Sequence, residues 1–206
     1  VIMYGMSIKK PDGSLWLSPD FTPVNLIDKG KISAKTGTVF NTSIPINRPC
    51  FFFVRLTSKS YIAFTQFNNG GKHAIKIEKS DNQGEVFVYA FSNMVTPPGS
   101  HGIAFYNANG EMVYHGKMKP LDAKLVSVSG ITFDVNLGYP CAIMPSLTAL
   151  NSVRNPSLGG FMIFESQAAA YGNGVYSLSR QVAQTPGPVG IYTASSVLVI
   201  NSSHYD

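Results

Sequence analysis

Apolar and polar residues alternate with a period of two along much of this chain. Met6 and Ile8 alternate with Ser7 and Lys9, and Leu15 and Leu17 alternate with Trp16 and Ser18. Pro11, Asp12 and Gly13 separate the two runs. Such alternation on either side of a turn signal predicts an antiparallel hairpin, with Pro11 pre-setting the turn and Gly13 supplying a positive φ.

The pattern recurs. "YGMSIKKPDGSLWLSPDFTP" (4–23) aligns without a gap on "HGIAFYNANGEMVYHGKMKP" (101–120), ninety-seven residues on. Gly5 falls on Gly102, Gly13 on Gly110 and Pro23 on Pro120, and Asn109-Gly110 takes the place of Asp12-Gly13. Further along, Phe40-Asn41 matches Phe133-Asp134, and Pro49-Cys50 matches Pro140-Cys141. "NGGKHAIKI" (69–77) is set against "LGGFMIF" (158–164), and "GEVFVYAFSN" (84–93) against "NGVYSLSRQV" (173–182). "TPPGSHGIAF" from Thr96 is set against "TPGPVGIYT" from Thr185. The matches run in one order, so the chain reads as an internal duplication with a unit of sandwich size.

The expected fold is all-β: two tandem β-sandwich-like modules, residues 1–98 and 99–206, with the boundary at Pro97-Pro98-Gly99. The hairpin at 101–115 completes the first module while opening the second, or the two modules abut there, and a looser one at 189–201 closes the second. Two short helices are expected, at 145–154 ("PSLTALNSVR") and 165–172 ("ESQAAAYG").

Two strands are apolar on both faces. In Val86–Phe91, Phe87, Tyr89 and Phe91 share one face and Val86, Val88 and Ala90 the other. Phe51–Val54 is an unbroken apolar run, and "AIM" (142–144) and "VLVI" (197–200) behave alike. One face belongs to a sandwich core; the other requires a neighbouring domain or a second subunit. Trp16, Cys50, Phe51, Phe53, Phe87, Tyr89, Cys141 and Phe161 are the expected packing residues.

Composition sharpens this reading. Charged residues are 13% of 206, about half the usual share, against 44% hydrophobic, a balance that opposes disorder. Phe, Tyr, Gly and Pro are abundant, as β structure with many turns requires. No apolar run approaches the length of a membrane span, and "VIMYGMSIKK" lacks the features of a signal peptide. The net charge of +5 is scattered, with short groups at Lys29/Lys31/Lys35, Lys72/Lys76/Lys79 and Lys117/Lys119/Lys124. These read as solvated strand faces and loops rather than a nucleic-acid groove, with a modest attraction to anionic surfaces such as lipopolysaccharide.

No residue pattern points to catalysis, a cofactor or a metal. Cys50 and Cys141 hold equivalent places in the repeat and are expected to be free, buried thiols. His73, His101, His115 and His204 show no metal-ligand spacing. The eleven carboxylates form no recognisable pair, several of them, including Asp12, Asp81, Glu85 and Glu111, falling in or beside turns. "GSHG" (99–102) is not a nucleophile elbow, and "GNG" and "NGG" are turns.

The opening stretch, through Tyr4, Gly5, Met6, Ile8, Asp12, Gly13, Leu15 and Leu17, resembles the start of small tail-tip structural proteins of long-tailed bacteriophages. The resemblance covers about the first twenty-five residues. It implies a virion protein, assembled in the host cytoplasm, whose partners are other phage tail proteins. A symmetric trimer or hexamer is the expected state, with no nucleic-acid partner and no membrane insertion. A receptor-binding module for a bacterial surface glycan or outer-membrane protein is the alternative, using the loops at 66–73 and 167–175. A capsid decoration protein is a third reading, and polysaccharide cleavage ranks last.

Overall fold

The computed structural model describes residues 8–9, 11–13, 15–18, 21–99 and 102–206. Among them the regular structure is almost wholly strand, with two single-turn 3-10 helices at Pro156–Leu158 and Ser202–His204. Tyr4, Gly5, Met6 and His101 lie outside the described residues.

The two hairpins expected at Asp12-Gly13 and Asn109-Gly110 form. β1 (Ile8–Lys9) pairs antiparallel with β2 (Leu15–Leu17), as Ile8 with Leu17 and Lys9 with Leu15. Its counterpart, β9 (Ala104–Tyr106) with β10 (Met112–His115), pairs Phe105 with Tyr114 and Tyr106 with Met112. These are the same pairs displaced by ninety-seven residues, each with a bulge between them. Gly13 and Gly110 have φ of 82° and 78°, as their turns demand.

Six strands follow the first hairpin: β3 (Asn25–Ser33), β4 (Val39–Pro45), β5 (Phe51–Leu56), β6 (Ile62–Asn69), β7 (Lys72–Ser80) and β8 (Glu85–Ser92). β3 and β5 flank β8, and β4 and β6 flank β7. After the second hairpin come β11 (Ala123–Ser127), β12 (Asp134–Asn136), β13 (Cys141–Ile143), β14 (Leu147–Asn155), β15 (Gly160–Tyr171), β16 (Gly174–Thr185), β17 (Tyr192–Thr193) and β18 (Ser196–Asn201). Here β11 and β13 flank β18, and β12 and β15 flank β16. The pairing scheme is that of the first half, with β14 and β17 added beside β15.

Registers agree as well as partners. Leu26–Phe91–Phe51 is a row across three strands of the first half, and Ala123–Ile200–Ala142 is the same row in the second. Asn41 sits opposite Ala74 as Asp134 sits opposite Tyr176. The bond from Ile46 N–H to Gly71 C=O (2.9 Å) has its counterpart in Leu137 N–H to Asn173 C=O (2.8 Å).

The halves do not form separate sandwiches. Val54 of β5 pairs with Ile143 of β13, and Asn25 bridges to Pro120. β3, β8, β5, β13, β18 and β11 therefore run in an antiparallel ring that draws three strands from each side of residue 98. Its closure is tight: Leu26 N–H donates to Lys119 C=O at 2.9 Å and Leu121 N–H to Val24 C=O at 2.8 Å. Side chains from all six strands meet inside, centred on buried Phe53, Tyr89, Phe91, Ala142, Ile200 and Tyr205. The alternate side chains, Phe52, Val54, Val86, Val88, Ala90, Cys141, Ile143, Val197 and Val199, join a second core beneath the outer strands. Both apolar faces of the central strands are thus covered within one chain, so they supply no argument for a second subunit. A boundary at 98/99 cuts through a sheet and through both cores.

Other expectations are corrected by the pairing. The segment 145–154 is β14 over most of its length, and 165–172 belongs to β15. Leu147, Leu150 and Val153 have helical spacing, but tertiary pairing with β15 overrides it. The alanines at 168–170 are buried at a strand crowded on both faces. No hairpin forms at 189–201: β17 pairs with β14, and β18 lies between β11 and β13. The counterpart of β8 is β18 rather than residues 173–182, and the counterpart of β7 is β16 rather than residues 158–164.

Candidate functional site

At one end the ring's inner face is left open, and a groove of about 560 Å³ lies there. Strand alternation builds it. Lys29 and Lys31 are two apart on β3, so they share the inner face. Lys31, Phe87 and Arg55 form one row across β3, β8 and β5, and Lys29, Tyr89 and Phe53 form the next. Lys31 Nζ is 5.6 Å from the Phe87 ring centre and Arg55 Cζ 4.6 Å, so a half-buried aromatic face is held between two cations.

The floor is fixed by the C-terminal turn. Tyr205 packs edge-on against Phe91, with ring centres 4.9 Å apart. Its hydroxyl donates to Pro120 C=O and accepts from Asp122 N–H, both at 2.8 Å. Tyr89 Oη donates to the Asp206 carboxylate, and Arg55 reaches that carboxylate at 3.4 Å and Ser202 Oγ at 3.1 Å. Burial first, and the bond to Asp206 second, push the Tyr89 hydroxyl well above the ordinary tyrosine range, so it stays a donor. Lys29 Nζ donates to Tyr205 C=O at 3.0 Å, and Lys31 pairs with Glu85 at 2.8 Å. Lys29, Lys31 and Arg55 thus meet two carboxylates, which leaves the groove cationic.

The matching end of the ring is different. Leu125, Leu198 and Met144 replace Lys29, Tyr89 and Phe53, and Ser127 and Ser196 replace Lys31 and Phe87. The cationic groove belongs to one half alone.

Of the expected packing residues, Phe51, Phe53, Phe87 and Tyr89 meet in the ring. Cys141 is buried and Cys50 half-buried, and both are free thiols. Burial pushes Cys50 up to about 12, with the Asp28 carboxylate adding to it, and Cys141 up to about 11. Phe161 is remote from the ring and lines a cleft with Asn155, Gly160 and Pro186. Trp16 is on β2, but its side chain falls outside those described. The loops 66–73 and 167–175 hold equivalent turns of different sheets, and neither lines the groove. His73 is buried, bonded to Gln66 and to Arg48 C=O, and His115 is buried against Thr96. Among the described residues no group of three or more His, Cys, Asp or Glu is placed to hold a metal ion, and no helix is long and apolar enough to cross a membrane.

β14 to β17 form a second feature. Among the described side chains of 151–165 and 179–193 only Ile163 is buried, so this ribbon extends past the core. Val153, Ile191 and Tyr192 are exposed on it, Ile191 by 77%. Asn155 caps the turn at its tip by accepting from Ser157 N–H, and Gly159 follows at φ 65°.

Lys29 and Lys31 are exposed on β3, as expected of a solvated strand face, but that reading did not extend to the groove they line. Their spacing of two on a β pattern was the available signal; the pairing that brings Arg55 and Phe87 between them was not in the local sequence. No protein-family model, no curated protein and no solved structure matches this chain.

Proposed function

We propose that this chain is a bacteriophage virion structural protein, a tail-tip component that assembles with other tail proteins through the β14–β17 ribbon. The observation that carries the reading is the ribbon itself. It is a four-stranded ribbon with exposed Val153, Ile191 and Tyr192, in which β14 and β17 are added to only one of two halves that otherwise share a pairing scheme. Apolar side chains held on a rigid projection suit a surface that becomes covered on assembly. The repeated hairpin supports the same reading, since it carries the resemblance to tail-tip proteins and recurs in register. We further propose that the halves arose by duplication of one six-strand unit with its hairpin.

Light scattering across a dilution series tests this. A trimer or hexamer that persists on dilution and dissociates in Ile191→Glu with Val153→Glu is the expected result. A monomer at every concentration, with no binding to purified tail proteins, overturns it.

A further inference from the structure

We infer that the groove between Lys29, Lys31, Arg55 and Phe87 binds a carboxylated sugar of a surface polysaccharide. This goes beyond the assembly reading and uses a different face from the ribbon.

Three observations converge. Phe87 is half-buried and lines the open groove, with Lys31 Nζ and Arg55 Cζ within 5.6 and 4.6 Å of its ring centre. The C–H face of a pyranose is slightly positive and apolar, which suits the negative face of an aromatic ring. Lys31 and Arg55 stand on either side of that platform, where a ring carboxylate would reach a charge-assisted bond. Arg55 is oriented beforehand by Ser202 and Asp206, and Lys29 by Tyr205 C=O, so little side-chain freedom remains to be lost on binding. The counterpart pair is Ser127 and Ser196, so the shared pairing scheme does not itself require Lys and Phe here.

A polynucleotide fits less well. Glu85 and Asp206 interrupt the cationic surface, and Tyr205 closes the ring behind it, so no continuous track for a phosphate backbone exists.

The test is titration of the full chain with trigalacturonate, followed by backbone amide shifts. Its fully methyl-esterified form and a decathymidylate are the comparison probes. Saturable shifts clustered at 29–31, 55 and 87–89 are expected, with no response to the ester. Affinity should fall about tenfold in Phe87→Leu, which keeps an apolar side chain at the ring's mouth, and severalfold in the exposed Lys31→Gln, and it should weaken as salt rises. No binding of trigalacturonate at about 10 mM, a Kd too weak to matter at a cell surface, overturns the inference. So do equal binding of ester and acid, unchanged affinity in both variants, or saturable binding of decathymidylate in the groove at lower concentration. Lys31→Gln should leave the scattering mass unchanged, so failure here and failure of the assembly reading are told apart.

Discussion

Leu121 N–H donates to the carbonyl of Val24 at 2.8 Å, and the two residues occupy the same place in their respective halves. Each follows the proline that ends the repeated stretch, Pro23 or Pro120, and each leads into the first strand of its six. The chain therefore closes its ring by pairing a segment with its own counterpart. Asn25 secures the junction: its buried side chain donates to the carbonyls of Pro23, Ser92 and Met94 at 3.1, 3.2 and 2.7 Å.

From this closure it follows that residues 1–98 and 99–206 will not fold alone. Separation strips β5 of β13 and opens the inner core. Each fragment should be insoluble or lack a cooperative thermal transition, and refolding the two together should restore it. A cooperative transition in either fragment alone would contradict the shared core.

Phe91 carries the inner core, fully buried with its ring against Phe53 at 5.5 Å and Tyr205 at 4.9 Å. Phe91→Ala should cost about 3–5 kcal/mol in denaturant unfolding. Phe161→Ala, at the remote ribbon cleft, should cost under about 1 kcal/mol by the same measurement.

Tyr205→Phe removes an acceptor from Asp122 N–H and a donor from Pro120 C=O while keeping the ring packing. The loss should be about 1–3 kcal/mol, and amide exchange should speed up first at 120–122.

Stability should fall as pH rises from 9. The Cys50 thiol is pushed from 9.0 to about 12 and Cys141 from 9.0 to about 11, so the unfolded chain releases these protons first. The stabilisation is whole below pH 9 and is lost as pH passes the folded values. Urea midpoints at pH 7, 9 and 10.5 should decline in that order, and Cys50→Ser should flatten the decline. Both thiols should react slowly with a thiol reagent at pH 8 until the protein is unfolded.

Gly174 sits where an added Cβ would lie 2.8 Å from the Val135 carbonyl. Gly174→Val should separate β12 from β16, lower the melting temperature and expose 134–136 to exchange. Gly187, with open space where its Cβ would be, should accept alanine without effect.

Much of the local structure was legible in the sequence because it depends on local rules. The Asp12-Gly13 and Asn109-Gly110 hairpins follow from turn chemistry, and the two-faced strands from their alternation. The anchors Phe40/Phe133 and Pro49-Cys50/Pro140-Cys141 do fall at matching registers. What was hidden depends on partners distant in the chain. Residues 173–182 resemble β8 in their Gly-apolar rhythm, yet the strand in the β8 position is Ser196–Asn201, since β14 and β17 bring extra chain into the second half. The covering of Phe87, Tyr89 and Phe91 was foreseen as a need, to be met by a neighbouring domain or a second subunit, but not that both halves would close one ring to meet it. For the groove, alternation places Lys29 beside Lys31, but Arg55 arrives through β8, a strand encoded thirty residues later.

The ring has one last consequence. A ring made by two identical chains must carry every side chain twice, so a change that suits one mouth is imposed on the other. Here the two mouths are written separately. Lys31–Phe87–Arg55 lies at one, Ser127–Ser196 at the other, and neither constrains its counterpart. Joining the halves in a single chain gives up the economy of repetition and gains a molecule with a direction: one end to charge, the other free for a different neighbour.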